Sequence, residues 1–216
     1  MGDRLNVIIL VSLSFIVMTQ VLAQEQKGNL VDDRDGNTYR TIQIKETTWF
    51  QNNLKYETAN SYYPKKTRKK SKVEKGNFYT YQDAQEVCPQ DWRLPSEEDW
   101  LEYFSFLLEN QKNNYSIIEI DTLHEEFISL VYRDSLGAVN LFQQTNPLNL
   151  QDYGWVQGRK IRPDGTMSYW IGHSKVEDKR FHVHLRKNNY TMHRHKHHVN
   201  DVKRKRRMFM VRCVKD

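Results

Sequence analysis

Residues Thr80 to Leu108 read TYQDAQEVCPQDWRLPSEEDWLEYFSFLL, and they hold two helix starts and one helix stop. Thr80 precedes Asp83 by three, a capping-box arrangement in which each residue can satisfy a free backbone amide of the first turn. Ala84, Val87 and Cys88 then share one face until Pro89 ends the helix. Ser96, directly after Pro95, precedes Asp99 by three and repeats the start. Trp100, Leu101, Phe104, Leu107 and Leu108 follow at three- and four-residue spacing, an apolar stripe that must face a core.

Working outward, the flanks read as strands and turns. Asp35-Gly36 is a tight-turn signal before Tyr39 to Ile44, which alternates at period two, and Thr47 to Phe50 is a second strand. Asp33 and Asp35 do not make a calcium loop, because counting from Gly36 puts Val31 and Ile42 where carboxylates belong. The stretch Ile117 to Leu130 is predicted as a further short helix carrying Leu123, Phe127, Ile128 and Leu130. From Leu136 the pattern is short strands, with Pro163-Asp164-Gly165 a turn before a strand over Met167 to Ile171. Met208 to Val214 is expected to be a buried last strand. The fold class is therefore α+β, two helices packed on short antiparallel sheets with long irregular loops.

The 216 residues carry 33 Lys and Arg against 27 Asp and Glu, with 12 Tyr, 9 Phe, 5 Trp, 9 Gly and 5 Pro. That excludes a wholly disordered chain, collagen and a coiled coil. No glycine-rich phosphate loop, GxSxG or HExxH motif occurs. Residues 1–23 read as a secretory signal peptide: Arg4, an apolar run from Val7 to Met18, and Val21-Leu22-Ala23 before the expected cleavage. The alternative, a membrane anchor, would need roughly 20 apolar residues, and this run is shorter, so no transmembrane segment is expected. No cysteine stands near the cleavage site to carry a lipid, which places the mature chain in the periplasm, at the cell envelope or outside. Residues 24–30 form a polar lead-in, and 31–216 a single domain.

Export favours a disulfide between the two cysteines, Cys88 and Cys213, which stand 125 positions apart; two buried thiols are the other reading. Charge is uneven. Pro64 to Lys75 and His193 to Arg207 each hold seven Lys or Arg and one acid, together +12 in a chain of net +6, so the remainder is −6. Like-charge runs of this kind are solvated loops, and Lys65, Lys66, Arg68, Lys69, Lys70, Lys203, Arg204, Lys205, Arg206 and Arg207 are candidate contacts for a polyanion. Nucleic acid is excluded by the compartment.

Phe181 to Arg186 alternates so that His182, His184 and Arg186 share a strand face, with His193, His195, His197 and His198 shortly after. Imidazoles in this pattern suit zinc or copper, yet the surrounding Lys and Arg oppose a cation, so an exposed polar strand is expected and no metal or other cofactor is assigned. Catalytic candidates are limited to Glu125 and Glu126 beside His124, on the helix expected there.

Asp35-Gly36-Asn37, Tyr39, Trp49, Asn53-Leu54-Lys55, Phe78 to Tyr81, Ala84, Cys88-Pro89, Trp92, Leu94-Pro95-Ser96, Trp100 and the closing Val211 to Asp216 form an ordered set. With Gly154-Trp155, Gly158-Arg159 and Tyr169 to Ser174, it resembles the Fibrobacter succinogenes major paralogous domain, over about Val31 to Asp216. The resemblance implies an exported domain of Bacteroidetes-like or Fibrobacter-like bacteria, related to the C-type lectin-like fold, without established activity. A lectin-type calcium site is not expected, since Thr145-Asn146-Pro147 lacks the needed carboxylate or amide beside the proline, although Val199-Asn200-Asp201 is similar to the second half of such a site. The resulting expectation is a non-catalytic binding or adhesion module whose exposed Trp155, Arg159, Tyr169 and Trp170 contact a glycan, an envelope polyanion or a surface protein. An exported hydrolase with an unrecognised site is the alternative.

Overall fold

Gly36 makes the first reversal of the chain with φ of 73°, a left-handed conformation that glycine adopts without steric cost. Its amide and that of Asp32 close the turn, to Asp32 O at 2.7 Å and Asn37 O at 2.8 Å. The turn joins β1 (Lys27–Val31) to β2 (Thr38–Ile44) in antiparallel register, Val31 opposite Thr38. The polar lead-in expected over 24–30 is thus largely an edge strand. Nearly all of it is exposed, so it pairs through backbone alone and carries no apolar alternation to reveal it. The computed structural model describes residues 26–63, 76–109, 116–120, 127–133, 147–151, 153–158, 160–162, 167–172, 180–186, 189–195 and 207–216.

A turn at Lys45-Glu46 leads into β3 (Thr47–Phe50), and the chain's end, β13 (Val214–Lys215), pairs with β3 to complete a sheet of order β1-β2-β3-β13. Between them the two helices form where their caps require. Thr80 Oγ1 accepts the Asp83 amide at 3.2 Å and starts α1 (Tyr81–Glu86). Ser96 and Asp99 cap α2 (Glu97–Glu109) reciprocally, Asp99 N donating to Ser96 Oγ at 3.2 Å and Ser96 N to Asp99 Oδ2 at 2.5 Å. Arg93 binds the same Asp99 carboxylate at 2.5 Å and also reaches Asp216. Trp100, Tyr103, Phe104 and Leu107 are the buried side of α2.

The larger sheet runs β5 (Ser116–Ile120), β6 (Phe127–Arg133), β11 (Asn189–His195), β10 (Arg180–Arg186), β9 (Met167–Trp170), β12 (Arg207–Met210), β7 (Trp155–Gln157), β8 (Lys160–Arg162), with β4 (Phe78–Tyr79) also on β12. Neighbours are antiparallel except β9 and β12, which run parallel. The helix expected over Ile117 to Leu130 is replaced by the antiparallel partners β5 and β6, paired from Ser116 opposite Arg133 to Ile120 opposite Leu130 with a register shift between Ile117 and Glu119. Ile117, Ile118, Ile120, Ile128 and Val131 are β-branched, and strand pairing overrides the helical spacing of their neighbours. The last strand expected over Met208 to Val214 is divided. β12 belongs to the large sheet and β13 to the small one, and Val211 to Cys213 cross between them.

That crossing is where the sheets are tied. Cys213 bonds Cys88 with Cα atoms 5.8 Å apart, the pairing expected from the sequence in preference to two free thiols. Leu54 and Phe50 amides donate to Val211 and Cys213 carbonyls, each at 3.0 Å. Trp49 and Phe50, adjacent on β3, point to opposite faces and fill two separate cores.

An ion pair between the exposed Arg34 and the buried Asp32 fixes the first turn against α1. The Asp32 carboxylate accepts from Arg34 N, Nε and NH2 at 3.1, 2.8 and 2.7 Å, and Arg34 donates onward to Val87 O at 3.0 Å and Cys88 O at 3.3 Å. Arg34 thereby caps the end of α1 beside the disulfide. Its hydrogen bonds hold the Asp32 carboxyl below the usual carboxylate value. A depressed folded value means the contribution is present above the unfolded value of about 3.9 and is lost as pH falls through the lower folded one. Asp32→Asn is expected to cost about 1.5–3 kcal/mol at pH 7 in urea unfolding, and the gap to the unsubstituted protein should narrow as pH falls below about 3.9.

Candidate functional site

Four strands at the middle of the large sheet gather an imidazole and aromatic cluster. On β9 and β10, Ser168 lies opposite His184 and Trp170 opposite His182, and cross-strand partners share a face. Because residues two apart on one strand also share a face, all four side chains converge. Ser168 Oγ is 2.7 Å from His184 Nδ1, and His184 Nε2 is 2.8 Å from His182 Nε2. Phe209, from β12, lies beneath them. Its ring stacks on His182 with centroids 4.5 Å apart and meets Trp170 edge-on at 4.5 Å and His184 at 5.6 Å. Trp170 donates its indole N–H to Tyr79 O at 2.7 Å and packs against Tyr81.

The cluster opens outward through β7 and the start of β12. Trp155 stands 6.3 Å from Phe209, and the guanidinium of exposed Arg207 lies 5.3 Å from the Trp155 ring centre. An indole face under a guanidinium is a cation–π pair. The rim therefore offers one half-buried indole and one exposed guanidinium. Ser168 and His182 are only 2% exposed and form its floor. An N–H···N contact needs one donor and one acceptor, so the two imidazoles share a single proton between their Nε2 atoms.

Of the residues singled out from sequence, the structure brings Trp155 and Arg207 together. It corrects two others. Tyr169 and Trp170 are 0% and 4% exposed, since consecutive strand residues point to opposite faces and both faces of β9 are covered. Neither forms an exposed contact. The histidine strand is likewise not a wet polar face, because Phe209 and Trp170 cover His182. Arg159, Lys65, Lys66, Arg68, Lys69, Lys70, Lys203, Arg204, Lys205 and Arg206 lie outside the described residues, as do His124, Glu125, Glu126, the 163–165 turn, the 145–146 and 199–201 halves of the calcium comparison, His197 and His198.

The residues flanking the first basic segment are placed by the reciprocal Tyr62–Phe78 bridge at 2.9 and 3.0 Å. The second runs into β12, which pairs with β4, so both segments attach to one strand pair. Among the described residues no group of three or more His, Cys, Asp or Glu could hold a metal; His193 is the register partner of His182. Sequence reading missed Ser168 and Phe209. Only the pairing register could have found them, because neither lies in a motif.

A sequence model described as the Fibrobacter succinogenes major domain matches residues 25–215. Comparison with curated proteins and with solved structures returns no match.

Proposed function

The chain belongs to the Fibrobacter succinogenes major domain family, and from that premise we propose that it is an exported, non-catalytic binding module of C-type lectin-like type acting at the cell envelope. Residues 1–23 are read as its cleaved signal peptide. The disulfide supports export. The ligand class is an acidic glycan or other envelope polyanion. The observation that carries this reading is the Trp155–Arg207 pair, a half-buried indole holding an exposed cation for the ligand's charge, at the base of a segment holding Lys203 to Arg206. Exposed cations attract such a ligand over about 10 Å at 0.1 M salt.

Binding of the protein to heparin, uronate-containing glycans and anionic vesicles tests it. Affinity should fall steeply with salt and be lost by 1 M. Trp155→Ala should weaken glycan binding roughly five- to tenfold, and Arg207→Ser with Ser at Lys203 to Arg206, or at Lys65, Lys66, Arg68, Lys69 and Lys70, should weaken it further without unfolding. Binding that ignores all these changes would sink the reading.

One contact favours the hydrolase alternative. Ser168 Oγ on His184 Nδ1 is the beginning of an activated nucleophile, with His182 in the orienting position. Turnover of an ester or glycoside panel that disappears in Ser168→Ala would establish that reading over the binding module.

A further inference from the structure

Arg212 lies in the crossing between β12 and β13, 2% exposed. Burying a guanidinium is costly unless an anion neutralises it. The buried carboxylates Asp32 and Asp99 each have an arginine, Arg34 and Arg93. Among the described residues Arg212 has no carboxylate. It donates to Phe50 O at 2.9 Å and to Asn149 O at 3.4 Å, and lies 5.7 Å from the Tyr169 ring centre. Its Nε has no hydrogen-bond partner.

Three more buried polar atoms beside it are in the same position: Trp100 Nε1, Tyr103 Oη and Tyr169 Oη. Their rings are neighbours, Trp100 centred 5.8 Å from Tyr169 and 6.0 Å from Tyr103, and all three side chains are fully buried. Arginine Nε–H and tryptophan Nε1–H can only donate, and the tyrosine hydroxyls are free to donate. Burial pushes the Arg212 guanidinium down and the Tyr103 hydroxyl up. Unpaired buried donors are rare in folded proteins, and here four lie on side chains linked through the Tyr169 ring, 5.7 Å from the Arg212 guanidinium and 5.8 Å from the Trp100 ring.

We propose that this cluster binds a single monoatomic anion, chloride at ordinary salt, taken up on folding between Arg212, Trp100, Tyr103 and Tyr169. Four donors on linked side chains, one of them a guanidinium, complement an acceptor that donates nothing, and a close-packed core favours the smallest such species. The site is separate from the Trp155–Arg207 rim, so neither proposal depends on the other.

The test is the melting temperature of the full-length, oxidised protein as gluconate is exchanged for chloride at constant ionic strength. A rise of roughly 5–10 °C is expected when chloride reaches about 100 times its dissociation constant. Bromide should act alike and give an anomalous peak beside Arg212 Nε in crystals. Tyr103→Phe and Tyr169→Phe should lose most of the rise yet match the unsubstituted protein in gluconate, since each removes a hydroxyl that then has nothing to bond. Arg212→Met, folded by near-ultraviolet circular dichroism, should show no rise.

Equal melting in both salts would overturn the proposal, as would a water at the site without bromide signal. Stabilisation by formate or acetate alone would overturn the halide assignment. Asp152 lies outside the described residues; Asp152→Asn destabilising equally in both salts would identify it as the counter-ion and also overturn the proposal.

Discussion

Removing the Cys88–Cys213 bridge, by reduction or by the double change Cys88→Ala and Cys213→Ala, is expected to cost 2–5 kcal/mol of unfolding free energy. The bridge closes a loop of 125 positions, for which the chain-entropy model gives about 5 kcal/mol. Its place raises the stake. Cys88 follows α1, whose terminal carbonyls Arg34 already holds, and Cys213 is the fully buried residue at which the last strand leaves one sheet for the other. Without the bond, the crossing relies on hydrogen bonds from Phe50, Leu54 and Arg93 to the backbone around it. Urea unfolding of oxidised and cysteine-free protein measures the difference. A shift under about 1 kcal/mol would mean that those contacts, not the disulfide, hold the terminus.

What the sequence disclosed was local chemistry. Thr80 with Asp83 and Ser96 with Asp99 announce their helices because a cap needs only residues three apart, and both caps form. β2 was legible because Ile42 and Ile44 alternate with Gln43, and β3 because it is a short run of β-branched and aromatic residues. The errors arose where partners distant in sequence decide. Ile117 to Leu130 holds a helix-like spacing, but β6 is paired on both sides, by β5 and β11, and extended pairing wins. An apolar run such as Met208 to Val214 says that it is buried, not that it changes sheets halfway. At the site, period two correctly put His182 and His184 on one face. It could not show that Phe209, 25 residues beyond His184, would cover that face. The same limit applies to Tyr169 and Trp170, whose aromatic character suggested a ligand platform until both faces of β9 proved to be packed.

Trp49→Ala should cost about 3–5 kcal/mol, the usual penalty for truncating a large buried aromatic. Trp49 meets Trp100 edge-on with ring centres 5.0 Å apart and Tyr103 at 5.7 Å, so one side chain of the small sheet packs against helix α2. Its neighbour Phe50 stacks on Tyr39 at 4.7 Å and meets Trp92 at 4.4 Å in the other core. The same strand therefore feeds both cores, and Phe50→Ala should cost a similar amount by a separate route. Domains hold only about 5–15 kcal/mol in all, so the double variant is expected to be unfolded at 25 °C. The single variants carry the sharper test. If β3 couples the cores, each should unfold in one transition, with circular dichroism and tryptophan fluorescence following the same urea curve. Two separated transitions in Trp49→Ala would show instead that the Tyr39–Phe50–Trp92 core, tied by the disulfide, stands without its neighbour.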